Sequence, residues 1–216
     1  MKRSVIAGLL MSFLFSGMLS QSAAAQTLKD FFGSDATSAL YLGIDFTKAK
    51  LIDDPKSEAS DIVERQFEGI NQLVITESKK FDLSSAFHKP NIDHDIAAVN
   101  KRNEKVDEKQ LMSTNTSDFH RLKEDDISSL VKGFDFGGKK GIGILFVMEA
   151  MSKSGKAAAI WITFIDMGSK KVLLTERLEE KVGMAIGFRN TWASSIKKLL
   201  DEIEGDRVKE WKKKYA

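Results

Sequence analysis

Cysteine is absent from the 216-residue chain, and proline occurs only twice. Without cysteine there is no disulfide framework, no thiol nucleophile and no cysteine-ligated zinc or iron–sulfur centre. Two prolines exclude a proline-rich linker or stalk. The fold must therefore be stabilised by its hydrophobic core, which a chain of this length can provide.

An excess of either charge is also missing. The chain has 33 basic and 31 acidic residues, and the two surplus charges come from Lys2 and Arg3, in a leader that contains no acid. The rest of the chain is formally neutral. Neutrality argues against nucleic-acid binding, which needs surplus Lys and Arg to displace counterions. It argues equally against a polybasic protein of the membrane surface.

Long apolar runs are lacking except near the amino terminus. Met1–Arg3 is positively charged, Val5–Leu19 is apolar with small breaks, and Ala23–Ala25 supplies the small residues that a signal peptidase reads. A membrane-spanning helix needs about 20 apolar residues, so the pattern predicts a cleaved signal peptide over residues 1–25. Cleavage before Gln26 places the protein in the periplasm or outside the cell. No cysteine follows the cleavage site, so the sequence predicts no lipoprotein anchor. No other stretch is apolar enough to predict an integral membrane span. A cysteine-free exported protein fits a bacterial periplasm.

Hydrophobic alternation predicts an amino-terminal strand–helix unit. Every second residue from Leu40 to Phe46 is apolar, which is the period of a strand with one buried face. Asp54-Pro55 predicts a helix start, with Asp54 as the N-cap. Apolar residues then recur on one helical face from Ile62 to about Thr76.

Residues 78–126 have the weakest pattern. The apolar residues within 92–99 fit one face of a helix, and the same stretch fits a short strand before a helical or irregular segment. Both alternatives stay open. Asp125-Asp126 then caps a short helix that ends at Gly133.

Three apolar runs separated by short turns predict a three-stranded antiparallel meander. They cover residues 141–150, 158–166 and 172–180. The first is apolar almost throughout, as in a strand buried on both faces. The last alternates, which is typical of a strand near a sheet edge.

An amphipathic helix is predicted to begin at Asn190 and to end at Gly205, followed by a basic tail or helix over 206–216. The predicted fold class is therefore α/β (α+β). It has a mixed sheet with an N-terminal strand–helix unit, a C-terminal three-stranded antiparallel meander and packed helices. A single domain is expected over residues 26–216.

Common catalytic and cofactor motifs are missing from the sequence. The glycine-rich segment 137–143 precedes a strand and leads into no helix, so it predicts a loop rather than a phosphate-binding cradle. His88, His94 and His120 are too widely spaced to predict a metal site. No cofactor and no metal are predicted.

Two aspartates lie near the ends of apolar strands. Asp45 and Asp166 could form a general acid–base pair, or each could bond the amides of a turn. The second interpretation is favoured for Asp166, with Ser169 in its turn.

Residues Gly183–Trp192 are the best candidate for a ligand site. Arg189, Asn190 and Thr191 would stand at a helix N-terminus, where free amides favour an anion. In the alternative interpretation Asn190 only caps the helix, while Ile186 and Phe188 pack under the sheet.

A family resemblance rests on six segments. They are Tyr41–Phe46, Lys50–Ile52, Gly141–Ile144, Ile165–Asp166, Lys171–Leu174 and Gly187–Trp192. With them the chain resembles a family of uncharacterised exported proteins of Bacteroidetes, and the match covers most of the chain after the leader. That family has no assigned activity, so the resemblance implies no functional residue.

In element order, the second half is also similar to periplasmic α/β domains of the TolB N-terminal and curli-secretion-lipoprotein type. This similarity implies an assembly or interaction module of the cell envelope. The chain departs from the lipoproteins among them in having no lipobox cysteine.

The leading functional hypothesis is an exported periplasmic accessory or interaction protein without catalysis, whose partner is a protein of the cell envelope. One alternative is a protein that binds a small anionic ligand through Gly183–Trp192. A second alternative is a hydrolase with an unrecognised carboxylate site.

Overall fold

The computed structural model describes residues 28–216. The predicted signal peptide and its cleavage site before Gln26 lie outside the described residues. Within residues 28–216, every helix is too short or too polar to cross a lipid bilayer.

The strands of the described residues form one mixed sheet. They are β1 (Ala39–Asp45), β2 (Lys50–Ile52), β3 (Asp93–His94), β4 (Met112–Ser113), β5 (Ile142–Ser152), β6 (Ala157–Asp166) and β7 (Lys171–Lys181). β1 and β2 follow each other along one edge of β5 and run parallel to it, with β3 outside β1 and β4 outside β2. On the other edge of β5, β6 and then β7 pair in the antiparallel sense.

β5 is the central strand, and all 11 of its residues are buried. The predicted α/β class is confirmed. A meander alone does not describe the sheet, however, because its core is parallel: β1 and β2 both pair with β5 in that sense. Parallel strands need a long crossover connection, and a pairing between strands so distant in sequence leaves no local pattern.

Helices cover both faces of the sheet. They are α1 (residues 28–33), α2 (Ala59–Asp61), α3 (Phe67–Thr76), α4 (Leu83–Ala86), α5 (Ala97–Asn103), α6 (Glu108–Leu111), α7 (Glu124–Lys132), α8 (Phe188–Glu202) and α9 (Val208–Tyr215). A π-helical turn joins α2 to α3, and another joins α8 to α9. α1, α3, α4, α8 and α9 pack on one face, whereas α5 and α7 pack on the other.

The uncertain segment 78–126 contains short elements rather than one long helix. Within 92–99 the chain forms β3 and then enters α5, so the short strand before a helical segment is the alternative that the structure shows. α7 ends at Lys132 with Gly133 as its C-cap, as predicted.

The predicted helix start at Asp54-Pro55 is wrong. Pro55 lies in a turn, and α2 begins only at Ala59. The Asp54 side chain is buried and accepts a hydrogen bond from the Ser57 hydroxyl at 2.9 Å. It therefore stabilises the turn instead of a helix terminus.

The predicted helix end at Gly205 is also wrong. Gly205 lies inside the π-helical turn Ile203–Arg207, and the chain continues as α9. Val208 and Trp211 of α9 are buried in the same hydrophobic cluster as α8. Burial of this apolar face outweighs the helix-ending tendency of one glycine, which is roughly 1 kcal/mol.

Two asparagines complete the outer edge of β1. β3 pairs only with Leu40 and Tyr41, so the backbone beyond them needs other partners. The N–H of Ile44 donates to Asn71 Oδ1 at 2.7 Å, and Asn71 Nδ2 donates back to the Ile44 carbonyl at 3.1 Å. Asn103 accepts from the N–H of Phe46 at 2.8 Å and donates to the Ile44 carbonyl at 2.9 Å. Side chains from α3 and α5 thus take the place of a neighbouring strand.

Gly43 makes this arrangement possible. It follows a β-bulge in β1 and has a φ of +95°. A Cβ there would lie 2.7 Å from Val99 Cγ1 and 3.0 Å from Asn71 Oδ1. Only glycine fits both the backbone angle and the close approach of the two helices.

We predict that Gly43→Ala lowers the free energy of unfolding by about 2–4 kcal/mol, because it combines a positive φ with overpacking. Urea denaturation would measure the change. Gly205→Ala is the control, since a Cβ at Gly205 meets nothing within 4 Å. It should be neutral or stabilising by up to about 1 kcal/mol. Equal effects of the two substitutions would contradict the account of Gly43.

Candidate functional site

A cavity of about 520 Å³ lies where the β5–β6 turn meets the β7–α8 loop. We call it the β7–α8 cavity. Its lining residues are Ser152, Lys153, Lys156, Val182, Gly183, Met184, Ala185, Ile186, Thr191 and Trp192. The volume falls within the range of small-ligand sites, which is roughly 300–1,000 Å³. Most of the lining residues belong to Gly183–Trp192, the segment predicted from the sequence as a candidate ligand site.

The cavity is apolar on its inner side and on its rim. Trp192 is 1% exposed, and its indole N–H has no hydrogen-bond partner among the described residues. Met184 and Ile186, on the loop, are 106% and 93% exposed. The expectation that Ile186 packs under the sheet is therefore wrong, because the loop turns outward before α8 begins.

The loop is held at its base rather than at its tip. The N–H of Val182 donates to the Lys156 carbonyl at 2.8 Å, and the N–H of Gly183 donates to Ser194 Oγ at 2.7 Å. The Thr191 hydroxyl donates to the Ala185 carbonyl at 3.2 Å. These bonds fix where the loop leaves β7 and where it enters α8.

The N-cap of α8 is Gly187, with a φ of +85°. Asn190, the predicted cap, lies inside the helix, where its Nδ2 donates to the Ile186 carbonyl at 3.3 Å. No side chain caps the first amides of α8. The prediction of Asn190 as the N-cap is wrong. The cap is a glycine with a positive φ, and a glycine has no side chain by which a sequence could reveal it as a cap.

The polar side of the cavity comes from the β5–β6 turn. Lys153 Nζ lies 3.9 Å from Asp54 Oδ2, and no carboxylate among the described residues lies within 4 Å of Lys156. Ser152 Oγ accepts from the N–H of Gly155 at 3.0 Å. The cavity thus combines an apolar floor and rim with positive charge at one end.

Arg189 does not line the cavity. Its guanidinium lies over Gly69 of α3, where a Cβ would come within 2.2 Å of Arg189 Nε. Its Nη2 donates to the Arg65 carbonyl, in the π-helical turn before α3, at 3.5 Å. Of the three residues predicted to bind a ligand, only Thr191 lines the cavity, and ligand binding by any of them stays a prediction.

The structure does not bring Asp45 and Asp166 together. Asp45 pairs in register with Val147, whereas Asp166 pairs with Ile142 at the other end of β5. Val147 and Ile142 are five positions apart along β5, a distance of roughly 16 Å. An acid–base pair formed by these two side chains is excluded.

Each of the two aspartates has a structural partner. Asp45 is fully buried and accepts from Arg102 Nε at 2.9 Å and from the N–H of Thr47 at 2.8 Å. Asp166 accepts from the N–H of Gly168 at 2.9 Å and from the Ser169 hydroxyl at 2.7 Å. The turn interpretation of Asp166 is confirmed.

The histidines lie on separate elements. His88 Nε2 lies 3.0 Å from the Glu204 carbonyl, and His120 Nδ1 lies 3.3 Å from Glu179. No group of three metal-ligating side chains occurs in the part of the chain that the structure describes.

A carboxyl pair connects β7 to α8, beyond the base of the loop. Burial raises the pKa of Glu180 to about 7, and hydrogen bonding and charge from Glu202 add to the rise. Lys198 opposes this rise, and Asp201 adds to it slightly. Although burial alone would raise it, hydrogen bonds from Glu180 and Arg207 hold the pKa of Glu202 below its usual value.

Comparison with protein-family models gives no match, and comparison with curated protein sequences gives none either. A solved structure, lipoprotein GNA1162 from Neisseria meningitidis, is similar over 79% of this chain and 98% of that one. The sequence identity is 11%, and the TM-score is 0.32. No functional argument is carried over at this level of similarity. The resemblances to exported proteins of Bacteroidetes and to periplasmic TolB-type domains stay predictions.

We predict that stability falls as pH rises from about 4.5 to about 7, because folded Glu180 keeps its proton there while unfolded Glu180 has lost it. Glu180→Gln should remove this part of the pH dependence. The variant should be more stable than the wild type at pH 8 and similar to it at pH 5. Urea midpoints at both pH values would measure the difference. Glu64→Gln, at an exposed position, should follow the wild type. A Glu180→Gln profile parallel to that of the wild type would contradict the assignment.

The position of Arg189 leads to a second prediction. Arg189→Ala should lower the free energy of unfolding by about 1 kcal/mol, because it loses the bond to the Arg65 carbonyl and the packing over Gly69. Asn190→Ala removes only an exposed bond and should stay within roughly 0.5 kcal/mol. If Arg189 faced a ligand and Asn190 capped the helix, the order would be reversed. Thermal or urea denaturation of both variants decides which is correct.

Proposed function

We propose that this protein is an exported interaction protein of the cell envelope, and that it binds its partner at the β7–α8 cavity without catalysis. The observation that carries the proposal is the exposure of Met184 and Ile186 at the rim of this cavity. The signal-peptide pattern over residues 1–25 supports export.

The two exposed side chains have no role in the core. Met184 is 106% exposed and Ile186 is 93% exposed, so neither contributes apolar burial to the fold. Covering a side chain of this size by a partner contributes about 1.5–3 kcal/mol. Exposed apolar residues beside a concave surface are typical of a binding site.

The charges beside the cavity indicate the chemistry of the partner. Lys156 is exposed and without a nearby carboxylate among the described residues, and Lys153 is only loosely paired with Asp54. An acidic group on the partner would find complementary charge there. The partner segment that fits therefore carries apolar side chains next to a carboxylate.

A small anionic ligand in the same cavity is the second candidate. The first amides of α8 have no side-chain cap, and Thr191 supplies a hydroxyl in the lining. Arg189 takes no part in this version, because it packs against α3.

Site-specific photo-crosslinking in intact cells tests the proposal. A photoreactive residue in place of Ala185, in the lining, should give a discrete protein adduct. The same residue in place of Lys209, an exposed position of α9, should not give that adduct. Affinity is then measured with the purified partner. Met184→Ser combined with Ile186→Ser should weaken binding at least about tenfold, since 1.4 kcal/mol corresponds to that factor.

The outcomes separate the two candidates. If carboxylated metabolites raise the melting temperature of the wild type but not of Thr191→Val, and no protein adduct forms, the cavity takes a small ligand. An adduct that survives the double serine substitution unchanged would contradict the role of the rim.

A further inference from the structure

A second concave surface lies between the β1–β2 connection and the α5–α6 segment, with a volume of about 360 Å³. We call it the basic cleft. Four basic residues line it: Lys48, Lys50, Lys105 and Arg121. Asp107 is the one acidic residue of the lining. In a formally neutral chain this is a local concentration of positive charge.

These cations are not used by the fold as ion pairs. Within residues 28–216, none of the four lies within 4 Å of a carboxylate. Lys50 Nζ donates to the Gln110 carbonyl. The Asp107 carboxylate accepts from the N–H of Lys109 at 3.0 Å and so caps α6. The lining acid therefore serves the backbone rather than the cations.

Arg121 adds an unsatisfied donor. Its Nε is buried and has no hydrogen-bond partner among the described residues. A buried N–H without an acceptor is unfavourable, and rotation of the Arg121 side chain toward an anion in the cleft would give it one. Lys48 and Lys105 are exposed, so they are free to turn toward the same anion.

We infer that the basic cleft binds a phosphate group. Arginine donates in a planar fork that matches phosphate oxygens, and lysines add point charge. A phosphate dianion is attracted more strongly by three or four cations than a singly charged carboxylate is. The phosphate belongs either to a small soluble molecule or to a lipid headgroup, and the chemistry of recognition is the same for both.

Calorimetric titration of the purified protein with inorganic pyrophosphate tests this inference. The wild type should bind, and binding should weaken as the salt concentration rises. Arg121→Gln should weaken binding by about tenfold or more, because it removes a charge-assisted bond. Lys48→Gln, at an exposed position, should also weaken it and cannot act through loss of folding. Lys101→Gln lies on α5 outside the lining and should bind like the wild type.

Two further measurements complete the test. Co-sedimentation with phosphatidylglycerol vesicles, against phosphatidylcholine vesicles, shows whether a lipid phosphate is recognised as well as the soluble one. The Met184→Ser, Ile186→Ser double variant should bind pyrophosphate normally, so a failure of the β7–α8 cavity proposal leaves this inference intact. Absence of pyrophosphate binding at low salt, or equal binding by wild type, Arg121→Gln and Lys48→Gln, would overturn it.

Discussion

The amino-terminal half of the molecule depends on how the outer edge of β1 is hydrogen-bonded. β3 is only two residues long, so Ile44 and Phe46 have no strand on their outer side, away from β5. Unpaired and buried, each of their polar groups would cost about 1–3 kcal/mol. Asn71 and Asn103 satisfy them from helices on opposite faces of the sheet. The same bonds therefore fix both helices to one strand. The α5–α6 wall of the basic cleft, which directly follows Asn103, takes its position from them.

The carboxyl-terminal half is governed by the path of α8 and α9 along β7. Gly183 contacts Ser194, and farther back along β7 the Glu176 carboxylate accepts from Trp211 Nε1 at 2.7 Å. The helices thus run opposite to the edge strand, and the chain must reverse within a few residues after Val182. This reversal leaves Met184 outside the core. Since polar residues would serve such a turn equally well, its apolar character is better explained by binding than by folding.

Sequence patterns predicted the elements whose periodicity is local. The apolar run of β5 and the half-exposed character of β7 follow from which faces each strand buries. The alternation of β1 predicted one buried face, which is wrong: six of its seven residues are buried, because helices cover both faces of the sheet there. Features set by distant parts of the chain were not predictable. Nothing local distinguishes Asn71 from an ordinary helix-surface asparagine. A glycine such as Gly205 commonly marks the end of a helix. The chain nevertheless continues into α9, because the apolar face of α9 is buried in the core.

The candidate site shows the same division. The segment Gly183–Trp192 was singled out by two glycines and a helix start, which can be read locally, and it supplies most of the lining of the β7–α8 cavity. The roles of its individual side chains could not be predicted from the sequence. Arg189 bonds a carbonyl of the α2–α3 connection, and the helix cap is a glycine. Nothing in the sequence indicates the exposure of Met184, since an isolated apolar residue is more often buried than exposed.

The distribution of charge shows which side chains the fold does not need. Some half-buried arginines bond carboxylates directly, as Arg102 does with Asp45 and Arg177 with Glu149. The cations of the basic cleft have no such partners, although the chain after the leader has as many acids as bases. Other acids gather elsewhere: Glu64, Glu68 and Glu104 line a separate crevice between α3 and α5. At these two concave surfaces, charges of opposite sign are therefore segregated instead of paired. The electrostatic field of such a local cluster acts close to the surface even though the net charge is zero, because salt screens it only over about 8–10 Å. Unpaired charge at a surface contributes little to the stability of the empty fold, and the charge of the basic cleft is therefore available to an anion.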